Sequence, residues 1–191
     1  ESGSLGYGED VGLVSVALNL FGKGGDFPAQ MELMIRKIGR YYQAESVQVS
    51  LLRADFNSSY LNYQWLREGR ASAGSVQKYT EEERRGFFAW LGGEEVRSFS
   101  PEDSGRPALQ RLLHISPGRQ GVALPLYDSG SCIGTVCILG IDPALPASPE
   151  ARQDLAELGR VIQSQLNQQQ HDIASKAKSE FLSRMSHEIR T

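Results

Sequence analysis

The feature that most constrains the fold is an apolar repeat towards the C-terminus. Ser148 and Pro149 suit the N-cap and first position of a helix. The apolar positions that follow have spacings of 3, 4, 4, 3, 4 and 4 residues, which predicts one helix over 149–191 with a straight or slightly right-handed coiled-coil seam. The seam consists of Leu155, Leu158, Ile162, Leu166, Gln169, Ile173 and Ala177.

This helix is longer than one domain normally packs, so we expect a partner to bury its seam. The simplest partner is the same helix of a second subunit, in a parallel homodimer. The alternative is a long helix that is merely solvated beyond its domain. The polar Gln169 is a weak point of the seam, suited to setting register or allowing a switch.

The last eleven residues, F-L-S-R-M-S-H-E-I-R-T, carry the clearest chemical signal. At about 100° per residue, His187 points away from the apolar stripe and towards solvent. Glu188 is adjacent, and Thr191 lies one turn further along the same face. A neutral imidazole is a nucleophile, and a carboxylate beside it can hold the reactive tautomer. The stripe itself consists of Leu182, Met185 and Ile189.

This run closely resembles the H-box of sensor histidine kinases. The resemblance implies that His187 accepts the γ-phosphate of ATP, that Glu188 orients and activates it, and that Thr191 places water for phosphatase activity. An isolated His-Glu pair is usually only a solvated face, but eleven consecutive family-like residues favour the H-box. The second hairpin helix and the ATP-binding domain of that family are not in the sequence, so we expect this fragment to be inactive alone.

The resemblance also implies the partners and cofactors of the parent kinase. These are ATP and Mg²⁺, the kinase domain of the parent itself, and a response regulator or receiver domain. The fragment by itself is expected to need no cofactor and no metal.

Composition fits a folded globular chain. Hydrophobic residues make up 40% of the chain and charged residues 23%, which is enough for a sizeable core. A net charge of −3 and no basic stripe argue against nucleic-acid binding. No apolar run approaches the roughly 20 residues of a membrane span, and no signal peptide is visible, so we expect a cytoplasmic location, with any membrane anchor elsewhere in the parent.

Two cysteines, Cys132 and Cys137, lie five positions apart in one apolar run. On a regular strand this odd spacing puts them on opposite faces, so we expect them to remain unpaired. Free thiols suit a reducing compartment.

The N-terminal part predicts two helices after a Gly- and Ser-rich, flexible lead-in over 1–10. Apolar residues recur at helical spacing over 11–21. Asp26 is a plausible N-cap for a second helix that extends to about residue 43. Its buried face is predicted to consist of Met31, Met34, Ile35 and Ile38.

Alternating apolar and polar residues predict a hairpin of half-buried strands at 47–51 and 61–65. A further strand covers 121–127, where Pro125 requires a sheet edge or a bulge because it lacks an N–H group. The apolar, β-branched run 131–141 predicts a central strand that is covered on both faces.

Two short helices are predicted between these strand pairs. Thr80 with Glu83 forms a capping-box pattern before a helix over 81–91. A short strand at 96–99 and a helix at 107–114 follow.

Two stretches resemble GAF domains, the sensory modules of many signalling proteins. One is G-V-A-L-P-L-Y-D-S-G-S-C-I-G-T-V-C-I-L-G, and the other is Y-Q-W at 63–65 with Gly69 after it. The resemblance covers about residues 10–168 and implies an α+β fold, with an antiparallel sheet flanked by helices. The predicted domains are therefore a GAF-like sensor at 11–148, a signalling helix at 149–178 that continues the last GAF helix, and a truncated phosphoacceptor helix at 179–191.

A GAF fold does not name its ligand. The resemblance admits cyclic nucleotides, bilins, haem, small metabolites or no ligand. Covalent attachment of a bilin needs a cysteine, usually beside a histidine, and no histidine of this sequence has a cysteine near it. The N-K-x-F-D-E signature of cyclic-nucleotide GAF domains is also missing, and no Cys/His cluster has the spacing of a zinc site. His114 is a candidate haem ligand but is better explained as structural. Trp65, Phe88 and Trp90 are candidates for a pocket wall or, more simply, core residues.

Three hypotheses follow. The first is the sensory and dimerisation fragment of a two-component sensor histidine kinase, whose GAF domain regulates phosphorylation of His187 in a phosphorelay. The second is a GAF relay module that binds nothing, which a core closed by large side chains would favour. The third is an enzyme of the GAF methionine sulfoxide reductase type that uses Cys132 or Cys137; buried, unreactive thiols would argue against it.

Overall fold

The computed structural model describes residues 12–71 and 73–190. Within these ranges the chain forms one six-stranded antiparallel sheet, in the order β3-β2-β1-β6-β5-β4. The strands are β1 (Ser46–Arg53), β2 (Ser58–Leu66), β3 (Val76–Lys78), β4 (Arg97–Phe99), β5 (Gly121–Asp128) and β6 (Ser131–Leu139).

Helices cover both faces of this sheet, as the α+β prediction requires. The helices are α1 (Leu13–Gly22), α2 (Phe27–Tyr41), α3 (Glu81–Leu91), α4 (Pro107–Leu113), α5 (Ala144–Ala147) and α6 (Pro149–Arg190). The predicted fold class, including the long C-terminal helix, is confirmed. The predicted lead-in at 1–10 lies outside the described residues. In the described ranges, no helix has the length and apolar character that a bilayer span needs.

One face of the sheet packs against α1, α2 and α6. The predicted inner face of α2 is confirmed, because its four apolar residues are at most 1% exposed. Asp26 is the N-cap residue, as predicted, but its side chain makes no capping hydrogen bond. The strand residues on this face include Val47, Val49, Val122, Leu124, Val136 and Ile138.

The opposite face packs against α3 and α4. Its core joins Phe87 of α3 to Leu109 and Leu112 of α4 and to Cys137 of β6. This second layer explains why the prediction of a half-buried β1 was wrong. Polar residues of β1 that were expected to face solvent lie beneath α4 and are buried.

The first half of α6 belongs to the core of the domain. Leu155, Leu158, Ile162 and Leu166 are at most 2% exposed, because α1 and the sheet cover them. The expectation that a second subunit buries the whole seam is therefore wrong for this part. Beyond it the helix leaves the domain, and Ile173 is 58% exposed.

Several helix ends form as the sequence predicts. Thr80 and Glu83 make the complete capping box of α3, with both hydrogen bonds at 3.1 Å. The Ser148 hydroxyl accepts a hydrogen bond from the Ala151 N–H at the start of α6. These bonds satisfy amide groups that the first helical turn leaves without partners.

An irregularity in the β5–β6 hairpin changes where the cysteines point. Leu126 pairs with Gly134 and Tyr127 with Cys132, so Ile133 is an extra residue in β6. This bulge reverses the alternation of side chains, and Cys132 therefore shares the α3 side of the sheet with Cys137. The prediction of opposite faces was wrong for this reason. Both thiols are nevertheless free.

Two helical glycines give opposite predictions for stability. A β-carbon on Gly39 of α2 would overlap the Trp65 ring, whereas one on Gly159 of α6 would lie 3.6 Å from the Leu124 β-carbon, an ordinary contact. We expect Gly39→Ala to lower the free energy of unfolding by about 1–3 kcal/mol. Gly159→Ala should raise it by about 0.5–1 kcal/mol, because alanine favours the helix. Urea denaturation of both variants measures this, and equal effects would contradict the packing of Trp65.

Candidate functional site

A pocket of about 560 Å³ lies between α3, the end of β1 and the β5–β6 hairpin. The bulge that reverses the face of Cys132 forms part of its wall. Its apolar lining comes from Leu52, Phe88, Leu91 and Ile133. A cavity of this size with mainly apolar walls is typical of small-molecule sites.

The polar side chains among the described lining residues carry one guanidinium, two phenols, one hydroxyl (Ser131) and one thiol. Burial raises the pKa of the Cys132 thiol to about 11, and burial also raises the pKa of Tyr79 and Tyr127. These three groups therefore stay neutral at physiological pH. Arg84 is the cationic group among the lining residues.

Arg84 is held at the rim by contacts within α3. Its Nε and Nη2 atoms donate to the Glu81 carboxylate at 3.0 and 2.5 Å. The guanidinium also lies 5.3 Å from the centre of the Phe88 ring. Arg84 and Glu81 are both well exposed to solvent, so their ion pair contributes little stability.

The three aromatic candidates do not share one pocket. Phe88 lines the pocket beside α3, whereas Trp65 packs against α2 on the other face of the sheet. Trp90 is a core residue, stacked with Phe87 at a ring distance of 6.0 Å. Sequence reasoning missed Arg84, Tyr79 and Tyr127, because nothing in the local pattern shows that α3 and the hairpin meet.

A second group of polar residues lies beneath α4 and is closed by hydrogen bonds. The Gln48 amide donates to the carbonyls of Leu113 and His114 at 2.5 and 2.7 Å. The Ser50 and Ser59 hydroxyls donate to the Leu112 carbonyl at 3.3 and 3.1 Å. These strand residues therefore bind the C-terminal carbonyls of α4, which the helix itself leaves without donors.

His114 ends α4 in a left-handed backbone conformation, with φ of 54°. Its Nε2 atom lies 3.0 Å from both the carbonyl and the hydroxyl oxygen of Ser59. Burial lowers the pKa of His114, partly offset by the hydrogen bond to Ser59. The structure thus places this residue in a structural role and not at an open coordination site.

The cysteines have no activating environment. Cys137 is buried, and its burial raises the pKa of the thiol far above the usual range. The Cys132 thiol donates to the Gly134 carbonyl at 3.3 Å. A nucleophilic cysteine needs a lowered pKa, and both pKa values move the other way. Within the described ranges, no cluster of three or more His, Cys, Asp or Glu residues could hold a metal ion.

Tyr127 connects the pocket to the long helix. β4 pairs with β5 only as far as Ala123, which leaves the outer edge of β5 unpaired around Pro125, as predicted. There the Tyr127 N–H donates to Gln163 Oε1 at 2.8 Å, and the Tyr127 carbonyl accepts from Asn167 Nδ2 at 3.0 Å. Two amide side chains, one helical turn apart on α6, thus take the place of a neighbouring strand.

The predicted phosphoacceptor residues lie far from this pocket along α6. His187 and Glu188 occupy the last turn of the helix, and both are exposed. Thr191 lies outside the described residues. The apolar stripe predicted beside them is present on the helix and exposed, with Leu182 at 55%, Met185 at 42% and Ile189 at 81%.

Comparison with known proteins identifies the architecture. No protein-family model and no curated protein matches this sequence. The chromophore-binding domain of a bacteriophytochrome from R. palustris has a similar structure, with a TM-score of 0.62 and 15% identity over 84% of this chain and 60% of that one. The A. Aeolicus nlh2 GAF domain gives a TM-score of 0.60 and 9% identity over 84% of this chain and 97% of that domain.

A third similar structure is the GAF domain of an Acinetobacter phosphoenolpyruvate-protein phosphotransferase, with a TM-score of 0.60 and 12% identity over 82% of this chain and 91% of that domain. The described chain has a GAF fold. At these identities the similarity establishes the fold alone. This chain spans less than two thirds of the bacteriophytochrome fragment.

The environment of His114 predicts a pH dependence of stability. Because its pKa is lowered in the folded state, the unfolded chain binds a proton more readily as the pH falls below about 6.5, and stability is lost. We expect His114→Asn, which suits a left-handed backbone, to reduce the loss of stability between about pH 6.5 and 5. Chemical denaturation at both pH values measures this. His171→Asn, at an exposed position of α6, is the control; a wild-type slope in His114→Asn would contradict the assignment.

Proposed function

We propose that this chain is the sensory and dimerisation fragment of a two-component sensor histidine kinase, in which the GAF domain regulates phosphorylation of His187. The observation that carries the proposal is the continuity of α6. Its first half is part of the GAF core, and the same unbroken helix bears the H-box sequence at its end. A change in the domain that shifts or rotates α6 would therefore move His187.

The buried half of α6 makes such a transfer physically reasonable. Ile162 and Leu166 are packed in the core, and Gln163 and Asn167 bond to the edge of β5 at Tyr127. Tyr127 also lines the pocket. A ligand that displaces the β5–β6 hairpin would act directly on the helix through this contact, and such a coupling is what a sensor needs to pass on its signal.

The exposed apolar residues near the end of α6 support a dimer. A row of exposed apolar side chains on a single helix usually marks an interaction surface. Because the helix is continuous, the same helix of a second subunit in parallel would cover this stripe and bring the two copies of His187 to the same level of the dimer, each on its outward face. ATP, Mg²⁺, the kinase domain and a response regulator belong to the parent protein in this proposal.

The open pocket argues against the alternative that this is a GAF relay module that binds no ligand. The polar cluster beneath α4 is closed, as a relay module would have it, but a cavity of about 560 Å³ remains open beside α3. The reductase alternative requires an activated thiol, and burial raises the pKa of both Cys132 and Cys137. The sensory role is therefore the stronger proposal.

Phosphorylation in trans tests the role of His187. When this chain is mixed with an intact sensor histidine kinase and labelled ATP, we expect weak, acid-labile phosphorylation of the fragment. His187→Gln should remove all of it, because it removes the nucleophilic nitrogen. His171→Gln, on the same helix, should keep the wild-type label. Label that survives His187→Gln would refute the assignment.

Hydrogen exchange tests the contact between α6 and β5. We expect Gln163→Ala to accelerate exchange of the Tyr127 amide about fivefold, the equivalent of one hydrogen bond of about 1 kcal/mol. Gln168→Ala, at an exposed position of the same helix, should leave that rate unchanged. NMR exchange rates measure both. Equal rates in the two variants would show that the Gln163 side chain does not protect the edge of β5.

A further inference from the structure

The pocket beside α3 has the size of a small-molecule site, and the charged side chain in its described lining is the cationic Arg84. Much of its lining is apolar or aromatic and includes Phe88 and Leu91 of α3 and Leu52 of β1. None of the described residues that line it is an aspartate or a glutamate. A cationic ligand would therefore find no counter-charge in the lining, whereas an anionic group would meet Arg84.

Arg84 can accept a second anionic partner. Two of its three nitrogens, Nε and Nη2, bond to Glu81, and Nη1 makes no hydrogen bond within the described ranges. The Glu81 partner is exposed, so the existing ion pair is weak and readily exchanged for a ligand carboxylate. Stacking on Phe88 holds the guanidinium at the rim with its remaining donors available.

The other polar groups suit an aromatic ring more than a sugar or a phosphate. The two phenols, the Ser131 hydroxyl and the Cys132 thiol offer one donor each, and Arg84 is the one cationic donor among the described lining residues. Phosphates are usually bound by several such donors together. An aromatic body would pack against Phe88, with Leu52 and Leu91 around it.

We propose that this pocket binds a small aromatic monocarboxylate, with its carboxylate on Arg84 and its ring against Phe88. The proposal deepens the proposed function, since it rests on the sensory role of the GAF domain and names the class of signal. It does not require that His187 be the phosphoacceptor. The ligand would contact the β5–β6 hairpin at Tyr127, the residue whose backbone bonds to α6.

Isothermal titration of the intact chain with naphthalene-2-carboxylate tests the proposal, with naphthalene-2-carboxamide as the uncharged probe. We expect the carboxylate to bind at least about tenfold more tightly, the range of one hydrogen bond to a charged group. Arg84→Gln should remove this preference. Arg85→Gln, at the neighbouring exposed position that does not line the pocket, should preserve it.

A second variant tests the location independently of charge. Ala54 is exposed at the mouth of the pocket, so Ala54→Trp should block binding of both probes without altering the core. Circular dichroism confirms that each variant remains folded. Undetectable binding to the wild type, equal affinity for the two probes, or binding that survives Ala54→Trp would each overturn the proposal.

The outcomes separate this proposal from the kinase assignment. If the chain binds neither probe but His187 accepts phosphate in trans, the ligand class is wrong and the kinase assignment stands. If the carboxylate binds through Arg84 but His187 is not phosphorylated, the ligand site stands and the kinase assignment fails.

Discussion

The structure depends on the burial of α6 against the sheet. Leu155, Leu158, Ile162 and Leu166 complete the core on one side of the central strands, so the helix that leaves the domain is also one of its structural supports. A full burial of such side chains contributes about 1.5–3 kcal/mol each. Detaching the helix would therefore cost much of the stability of the domain, and small shifts of a helix that remains packed are the energetically accessible motions.

The other face of the sheet is covered in a different way. There α4 is short, and its end is held by side-chain hydrogen bonds from Gln48, Ser50 and Ser59 as well as by apolar packing. Breaking one of these bonds would leave a buried polar group without a partner, which is costly. This region is consequently closed, while the space for a ligand lies further along the sheet, where the β6 bulge and α3 leave a pocket.

The packing of these two layers connects the pocket to the C-terminal helix. The pocket, the irregular β5–β6 hairpin and the buried half of α6 are in contiguous contact, and Tyr127 takes part in both the pocket wall and the helix contact. Beyond this contact α6 presents polar and apolar residues to solvent, with His187 at its far end. Rigid secondary structure rather than a chain of loops would carry any displacement over this distance.

The sequence by itself determined the local elements: the helical seam of α6, the capping box at Thr80, the inner face of α2 and the edge position of Pro125. Each follows from periodicity or from one residue's backbone chemistry, which are local properties. Only the tertiary structure decided what covers each surface. Gln48 and Ser50 alternate with valines as solvent-facing residues would, yet α4 buries them, and one inserted residue at Ile133 moves Cys132 to the other face. The pocket likewise joins residues of α3 to a hairpin about 40 positions away, and such a contact is set by how the layers pack and not by any pattern within either segment.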